Sequence, residues 1–153
     1  MLVTSYRVIK ARYARQAFSG FGAHRYGGWW NTKGHAVVYT SESLSLALLE
    51  ILVHLPRSRL LANHRAALAE IPAEQIERIP SLPRGFLTDV QKTRAVGDAW
   101  LDRSSSVALE VPSVLYRCGD VVPKNYLINP LHGEFAEIDI GRFRALHIDP
   151  RIS

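Results

Sequence analysis

The sequence predicts a single mixed α+β domain that spans residues 1–153. Short apolar, β-branched runs bounded by Gly or Pro are typical of buried strands, and they alternate with longer segments of strong helix formers. The two kinds of segment follow one another irregularly, which favours an α+β domain over a doubly wound sheet. With 47% hydrophobic and 22% charged residues, a chain of 153 residues has an ordinary globular composition and can build one core.

Most predicted elements end at a glycine, a proline or a capping residue. Leu2–Ile9 alternates loosely and is predicted as the first strand, Arg12–Gly22 as a helical turn and loop, and Ala36–Tyr39 as a buried strand. The later elements are predicted as a helix over Arg57–Ala69, a strand over Glu74–Ile79, a turn at Pro83–Phe86, a helix over Thr93–Arg103, strands over Val107–Val111 and Tyr126–Pro130, and a last strand or extended edge over Gly141–Ile148.

A helix predicted over Leu44–Leu55 carries the first candidate for chemistry. Ser41 or Ser43 is expected to cap it. Because the helix is apolar almost all round, it is expected to lie inside the domain. Glu50 is the acid in its middle, and an isolated buried carboxylate is costly unless it has partners. Two interpretations stay open: an internal ion pair with His54 at i+4, or a catalytic carboxylate.

Arg25 lies in a loop rich in glycine and aromatic residues. The adjacent Gly27 and Gly28 let the backbone approach a ligand closely, and a guanidinium beside aromatic rings suits bidentate phosphate binding. The alternative is a surface loop whose aromatic side chains anchor it to the core. Gly20-Phe21-Gly22 lacks the third glycine of a dinucleotide-binding fingerprint, so that motif is not indicated.

Polar residues at the ends of predicted strands are further candidates. Tyr39 is also explained as a core tyrosine with a satisfied hydroxyl, and Asn129 before Pro130 is also explained by turn chemistry. Ser113 follows a proline but lies in no Gly-x-Ser-x-Gly elbow, so a hydrolase nucleophile is not indicated. No metal site is predicted, because the histidines show no zincin spacing and there is no cysteine pair; they are His24, His35, His54, His64, His132 and His147.

Charge and cysteine content limit the setting in which the protein works. The formal charge is +5, which suits an anionic ligand, a nucleic acid or an acidic protein, but the basic residues form no block. Cys118 is the single cysteine, so no intrachain disulfide is possible and a reducing, cytoplasmic location is expected. No signal-peptide pattern and no apolar run of bilayer-spanning length is present in the sequence.

Taken in order, these stretches resemble the RES-domain family, toxins of bacterial toxin–antitoxin pairs. The ordered set is more specific than any one motif, and it runs through most of the chain. The family is named for an Arg, a Glu and a Ser, which here look like Arg25, Glu50 and Ser113, with Arg7 as a rival for the arginine. The matching stretches are Tyr6-Arg7, Arg25, Trp30–Gly34, Val38-Tyr39, Ser43–Leu55, Gly97–Leu101, Val111–Ser113 and Leu127–His132.

The resemblance implies a fold similar to ADP-ribosyltransferases, NAD+ as a substrate with no separate cofactor, and an Xre-type antitoxin that covers the active site. Cleavage of the nicotinamide–ribose bond leaves positive charge on the ribose, which Glu50 in a dry cleft would stabilise. Arg25 would hold the pyrophosphate and Tyr39 would contact the nicotinamide ribose. Ser113 and Asn129 would orient nicotinamide or Glu50. The remaining residues expected to bind NAD+ are Arg7, Trp30, Asn31 and Lys33.

Two other functions remain open from the sequence. A ribonuclease toxin would use Arg25 and Tyr39 together with a histidine base, so that His24, His35 or His132 would matter more than Glu50. A non-catalytic interaction module would use the positive charge to bind an acidic partner.

Overall fold

A mixed eight-stranded sheet organises the part of the chain that the computed structural model describes, residues 1–55 and 63–152. The strands are β1 (Leu2–Lys10), β2 (Val38–Ser41), β3 (His64–Pro72), β4 (Ile76–Arg78), β5 (Ala108–Pro112), β6 (Lys124–Ile128), β7 (Asp139–Ile140) and β8 (Arg144–Ala145). The α-helices are α1 (Phe21–Tyr26), α2 (Leu44–Leu52) and α3 (Val90–Arg103), and short 3-10 helices cover Ala11–Gln16, Ala73–Gln75, Phe135–Glu137 and Pro150–Ile152. None of the described helices is long and apolar enough to cross a bilayer.

The sheet is weakly joined between β1 and β2. Its strand order is β4-β5-β6-β2-β1-β3-β7, with β8 also paired to β3, and only β4 and β5 run parallel. β1 pairs with β3 along its whole length, from Leu2 opposite Pro72 to Lys10 opposite His64. β1 and β2 share a single residue pair, Tyr6 opposite Ser41. Beyond that pair the two strands separate, and the sheet opens toward Tyr39.

Helices α2 and α3 cover the sheet on either side of this opening. Trp100 of α3 is buried with Leu109 and Leu127, and Val8 of β1 is buried with Ala47 of α2. The N-cap of α3 is Asp89, whose carboxylate accepts a hydrogen bond from the Gln91 N–H. The described residues combine α-helices with a mixed sheet, so the predicted α+β class is confirmed.

Helix α2 differs from its prediction in how much of it is buried. Ser43 caps it as expected, because its Oγ accepts a hydrogen bond from the Leu46 N–H at 3.1 Å. The expectation that the whole helix lies inside the domain is wrong, since Leu49 is 43% exposed and the following Val53 is 58% exposed. The helix packs on the sheet along the side that carries Leu46 and Ala47, and its opposite side faces outward.

The helix predicted over Arg57–Ala69 is also wrong. Its first part, residues 57–62, lies outside the described residues, Asn63 lies in a turn, and residues 64–69 belong to strand β3. Pairing of β3 with all of β1 outweighs the helix propensity of its alanines. The expected strand over Gly141–Ile148 is reduced to β8, and the segment Arg12–Gly22 contains a 3-10 helix and the first residues of α1. The other predicted helix and strands are confirmed within a few residues at their ends.

Candidate active site

A cleft of about 780 Å³ lies where β1 and β2 separate. Its walls come from these two strands, from α1 and the loop after it, from α2, from the N-terminal part of α3, from β6 and from the segment that follows β5. Aromatic rings are supplied by Tyr6, Tyr26 and Trp29. The polar residues that line the cleft are Arg7, Tyr39, Thr40, Ser41, Glu50, His54, Arg94 and Asn125. This volume lies within the range of small-molecule binding sites.

Glu50 is held at the floor of the cleft through one of its carboxylate oxygens. Ser113 Oγ and Asn125 Nδ2 each donate a hydrogen bond to Oε1, both at 2.7 Å. Oε2 has no hydrogen bond from any residue that the structure describes. The alternative of an internal ion pair with His54 is not what the structure shows, because the neutral Ser113 and Asn125 side chains hold the carboxylate instead.

Arg7 reaches across the opening between the two strands. Its Nη1 donates a hydrogen bond to the Tyr39 carbonyl at 2.9 Å, where a neighbouring strand would otherwise provide the donor. Its Nε is buried and has no partner among the described residues. Burial lowers the pKa of Arg7 to about 10, so the guanidinium still carries its charge at neutral pH. Because Arg7 is only partly buried and lines the cleft, its guanidinium is suited to bind an anionic ligand.

The Tyr39 hydroxyl is fully used by the protein itself. It donates to Asn31 Oδ1 at 2.6 Å and accepts from the Trp30 N–H at 2.9 Å. Burial raises the pKa of Tyr39 above its usual range, which keeps the phenol neutral. A Cβ added at Gly28 would lie 2.5 Å from this hydroxyl, so only glycine fits at this position without displacing the Tyr39 side chain. What Tyr39 offers a ligand is therefore its ring rather than its hydroxyl.

Helix α3 fixes the loop that follows α1. Arg94 Nε donates to the Gly28 carbonyl at 2.8 Å, and Thr93 Oγ1 donates to the Trp29 carbonyl. Asp98 accepts from the Thr32 N–H at 3.0 Å and from its hydroxyl at 2.7 Å. These bonds set the position of one cleft wall relative to the sheet.

The similarity to known proteins extends over most of the chain and is not limited to the residues of the cleft. The sequence profile of the RES domain family matches residues 4–149. This chain belongs to the RES-domain toxin family. Two similar proteins are "Toxin Res" of Yersinia enterocolitica, 38% identical over 85% of this chain and 86% of that protein, and "Prs ADP-ribosylating toxin" of a Sphingobium species, 33% identical over 92% of this chain and 89% of that protein.

A solved structure shows the same fold as this RES domain. In the crystal structure of the MbcT–MbcA toxin–antitoxin complex of M. tuberculosis, the matching chain superposes with a TM-score of 0.72. The superposition covers 95% of this chain and 85% of that chain at 19% identity, so the likeness concerns the fold. The expected fold, similar to ADP-ribosyltransferases, agrees with this match.

The RES domain brings together four of the candidates from the sequence. Arg7, Tyr39 and Glu50 line the cleft, and Ser113 is bonded to Glu50 from behind. Arg25, in contrast, is exposed on α1, and its guanidinium lies 5.5 Å from the Tyr26 ring centroid. The structure therefore favours Arg7 over Arg25 as the cleft arginine.

Four other candidates of the RES domain lie outside the cleft lining. Lys33 is exposed, and Trp30 is buried in the core. Asn31 is fully buried and donates to the carbonyls of Ala23, Thr32 and His35, so it holds the loop in shape. Asn129 accepts from the Leu131 N–H at 3.0 Å, as ordinary turn chemistry predicts.

Sequence reasoning missed two cleft residues of the RES domain, Arg94 and Asn125. Arg94 lies in the helix predicted over Thr93–Arg103, and nothing in the surrounding sequence distinguishes it from a surface arginine. Asn125 carried a usable signal, because it is a polar residue directly before the apolar run that ends at Ile128. Among the described residues, no group of three or more His, Cys, Asp and Glu side chains is arranged to hold a metal ion.

Proposed function

We propose that this protein is the toxin of a toxin–antitoxin pair and that it consumes NAD+ by cleaving the nicotinamide–ribose bond. One observation carries the proposal: Glu50 is held by hydrogen bonds to one oxygen, and its other oxygen has no hydrogen bond from the described residues in a cleft that also contains Arg7. Membership of the RES family and the relative named an ADP-ribosylating toxin support the same chemistry.

The reaction needs a negative charge beside the ribose. When nicotinamide leaves, positive charge develops on the ribose, and a fixed carboxylate stabilises it without having to reorganise. Glu50 meets this need, because its partners are neutral donors that leave its charge available to a substrate. Water, phosphate or a protein side chain then accepts the ADP-ribose group.

The remaining cleft residues suit the other parts of NAD+. The guanidinium groups of Arg7 and Arg94 supply charge for the pyrophosphate, and Arg7 takes the role that the sequence assigned to Arg25. The rings of Tyr6, Tyr26 and Trp29 offer flat faces for nicotinamide and adenine. The histidines invoked for a ribonuclease, His24, His35 and His132, do not line the cleft.

Release of nicotinamide from NAD+ tests the proposal directly. Purified protein is incubated with NAD+ and, in a separate arm, with RNA, and the products are separated by chromatography. In Glu50→Gln the turnover should fall about a hundredfold or more, because one transition-state contact loses its charge. The control Glu74→Gln removes the same charge from an exposed site and should turn over NAD+ at the normal rate. RNA cleavage without nicotinamide release would establish the ribonuclease alternative instead.

An Xre-type antitoxin that covers the cleft completes the proposal. Val53, which directly follows α2, and Tyr26 on α1 line the cleft and are exposed, Val53 by 58% and Tyr26 by 66%. Apolar side chains grouped around a polar opening are typical of a protein-binding surface. The toxin–antitoxin complex that shares this fold supports a partner of this kind.

A further inference from the structure

Both hydrogen bonds to Glu50 fall on the same oxygen. Ser113 Oγ and Asn125 Nδ2 lie 2.7 Å from Oε1, whereas Oε2 receives no hydrogen bond within the described part of the chain. The terminal torsion of a carboxylate has two equivalent states, and rotation between them is soft. Loading one oxygen with two donors makes the oxygens inequivalent and fixes which of them is left for the cleft.

The sheet holds these two donors rigidly. Asn125 is paired with Val111 of β5 on one side and with Ser41 of β2 on the other, so its backbone is fixed on both edges of β6. Ser113 lies two residues beyond Val111 and therefore points to the same face of the sheet as Asn125. Its own N–H donates to the Pro123 carbonyl at 2.8 Å, which fixes its position.

Asn125 is maintained in this orientation at a cost to stability. The residue is only 8% exposed, and its Oδ1 is buried without a hydrogen-bond partner among the described residues. A buried unpaired acceptor destabilises a fold. Rotating the amide would bring Oδ1 against the Glu50 carboxylate, so the arrangement that supports Glu50 is the one that leaves the carbonyl unpaired. Such a local conflict is expected where a residue serves function rather than stability.

From these contacts we propose that Asn125 is a positioning residue for Glu50, which together with Ser113 holds Oε1 so that Oε2 alone faces the ribose of the substrate. The inference rests on the proposed function and adds to it a cleft residue that acts through its hydrogen bond to Glu50. It explains why an amide, rather than a hydrophobic side chain, occupies this buried position on β6.

The variant Asn125→Asp tests the inference through its pH dependence. A protonated carboxyl can still donate to Oε1, but once that proton is lost two carboxylates face each other and Glu50 is pushed from its position. The ratio of variant to wild-type NAD+ turnover should therefore fall by about tenfold or more between about pH 5.5 and about pH 8.5. The control Asn63→Asp adds the same charge at an exposed turn, and its ratio should stay constant.

A second variant covers the case in which Asn125→Asp does not fold. Asn125→Ala removes the donor, and it should lower kcat about tenfold while KM for NAD+ stays near the wild-type value, because within the described residues the only hydrogen bond that the amide makes is to Glu50. Normal kcat in a folded Asn125→Ala, or a pH-independent ratio for Asn125→Asp, overturns the positioning role and leaves the proposed function intact. A wild-type protein that releases no nicotinamide overturns the proposed function and this role together.

Discussion

Arg7 and Arg25 differ in what surrounds their guanidinium groups, and this difference predicts different effects of the same substitution. Arg7→Lys should weaken NAD+ binding about tenfold or more, because an ammonium cannot bond the Tyr39 carbonyl and a phosphate as a planar fork does. Arg25→Lys should bind NAD+ normally, since Arg25 is exposed and stacks on Tyr26. Calorimetry in a Glu50→Gln background measures both affinities without consuming the ligand.

A loss of affinity confined to Arg25→Lys would return the pyrophosphate to Arg25, the assignment that the sequence favours. The sequence identifies Glu50 because a lone acid interrupts an apolar helix, a pattern that is visible within one element. It favours Arg25 because glycines and aromatic rings surround it locally. The signal for Arg7 is the separation of β1 from β2, which depends on pairing between distant segments and leaves no local mark.

At the level of elements, the packing of α3 against the loop after α1 predicts an unusual glycine effect. A Cβ at Gly97 would collide with the Trp30 carbonyl, so Gly97→Ala should lower the free energy of unfolding by about 1–3 kcal/mol, although alanine is the better helix former. Gly22 in α1 has open space around its Cα, and Gly22→Ala should be neutral or slightly stabilising. Urea unfolding measures both; equal stability of the two variants would show that α3 and the loop are not in close contact.

Elements whose local pattern agrees with their tertiary surroundings were predictable, and the others were not. Thr93–Arg103 and Val107–Val111 were assigned correctly because Trp100 and the β-branched run pack where their periodicity indicates. The alanine-rich segment before Ile71 has helix propensity, yet it pairs with β1 and becomes β3. Pairing with a strand that is distant in the sequence determines the structure of this segment, and the local sequence does not reveal that pairing.

At the level of the whole molecule, the exposed residue at the C-terminal end of α2 predicts how an antitoxin is recognised. Val53→Gln should weaken the toxin–antitoxin complex about tenfold, because an exposed apolar side chain that lines the cleft no longer contributes its burial. Leu131→Gln is the matched control, since Leu131 is 80% exposed but is not among the residues that line the cleft. Binding is measured by titration calorimetry, and inhibition of NAD+ loss by added antitoxin is measured alongside. Equal weakening by both substitutions would place the interface elsewhere.

The single residue pair between β1 and β2 has a consequence for the dynamics of the protein. Local opening is easiest where the fewest hydrogen bonds must break, so amide hydrogens beside this boundary exchange with solvent before those of the long β1–β3 ladder. Arg7 lies on β1, and Glu50 is hydrogen-bonded to Asn125 of β6, on the other side of the boundary. A ligand that contacts both Arg7 and Glu50 would therefore link the two sides of the sheet. Ligand binding should then slow deuterium uptake by the amides at the boundary between β1 and β2. Without the ligand, these two strands should open more often.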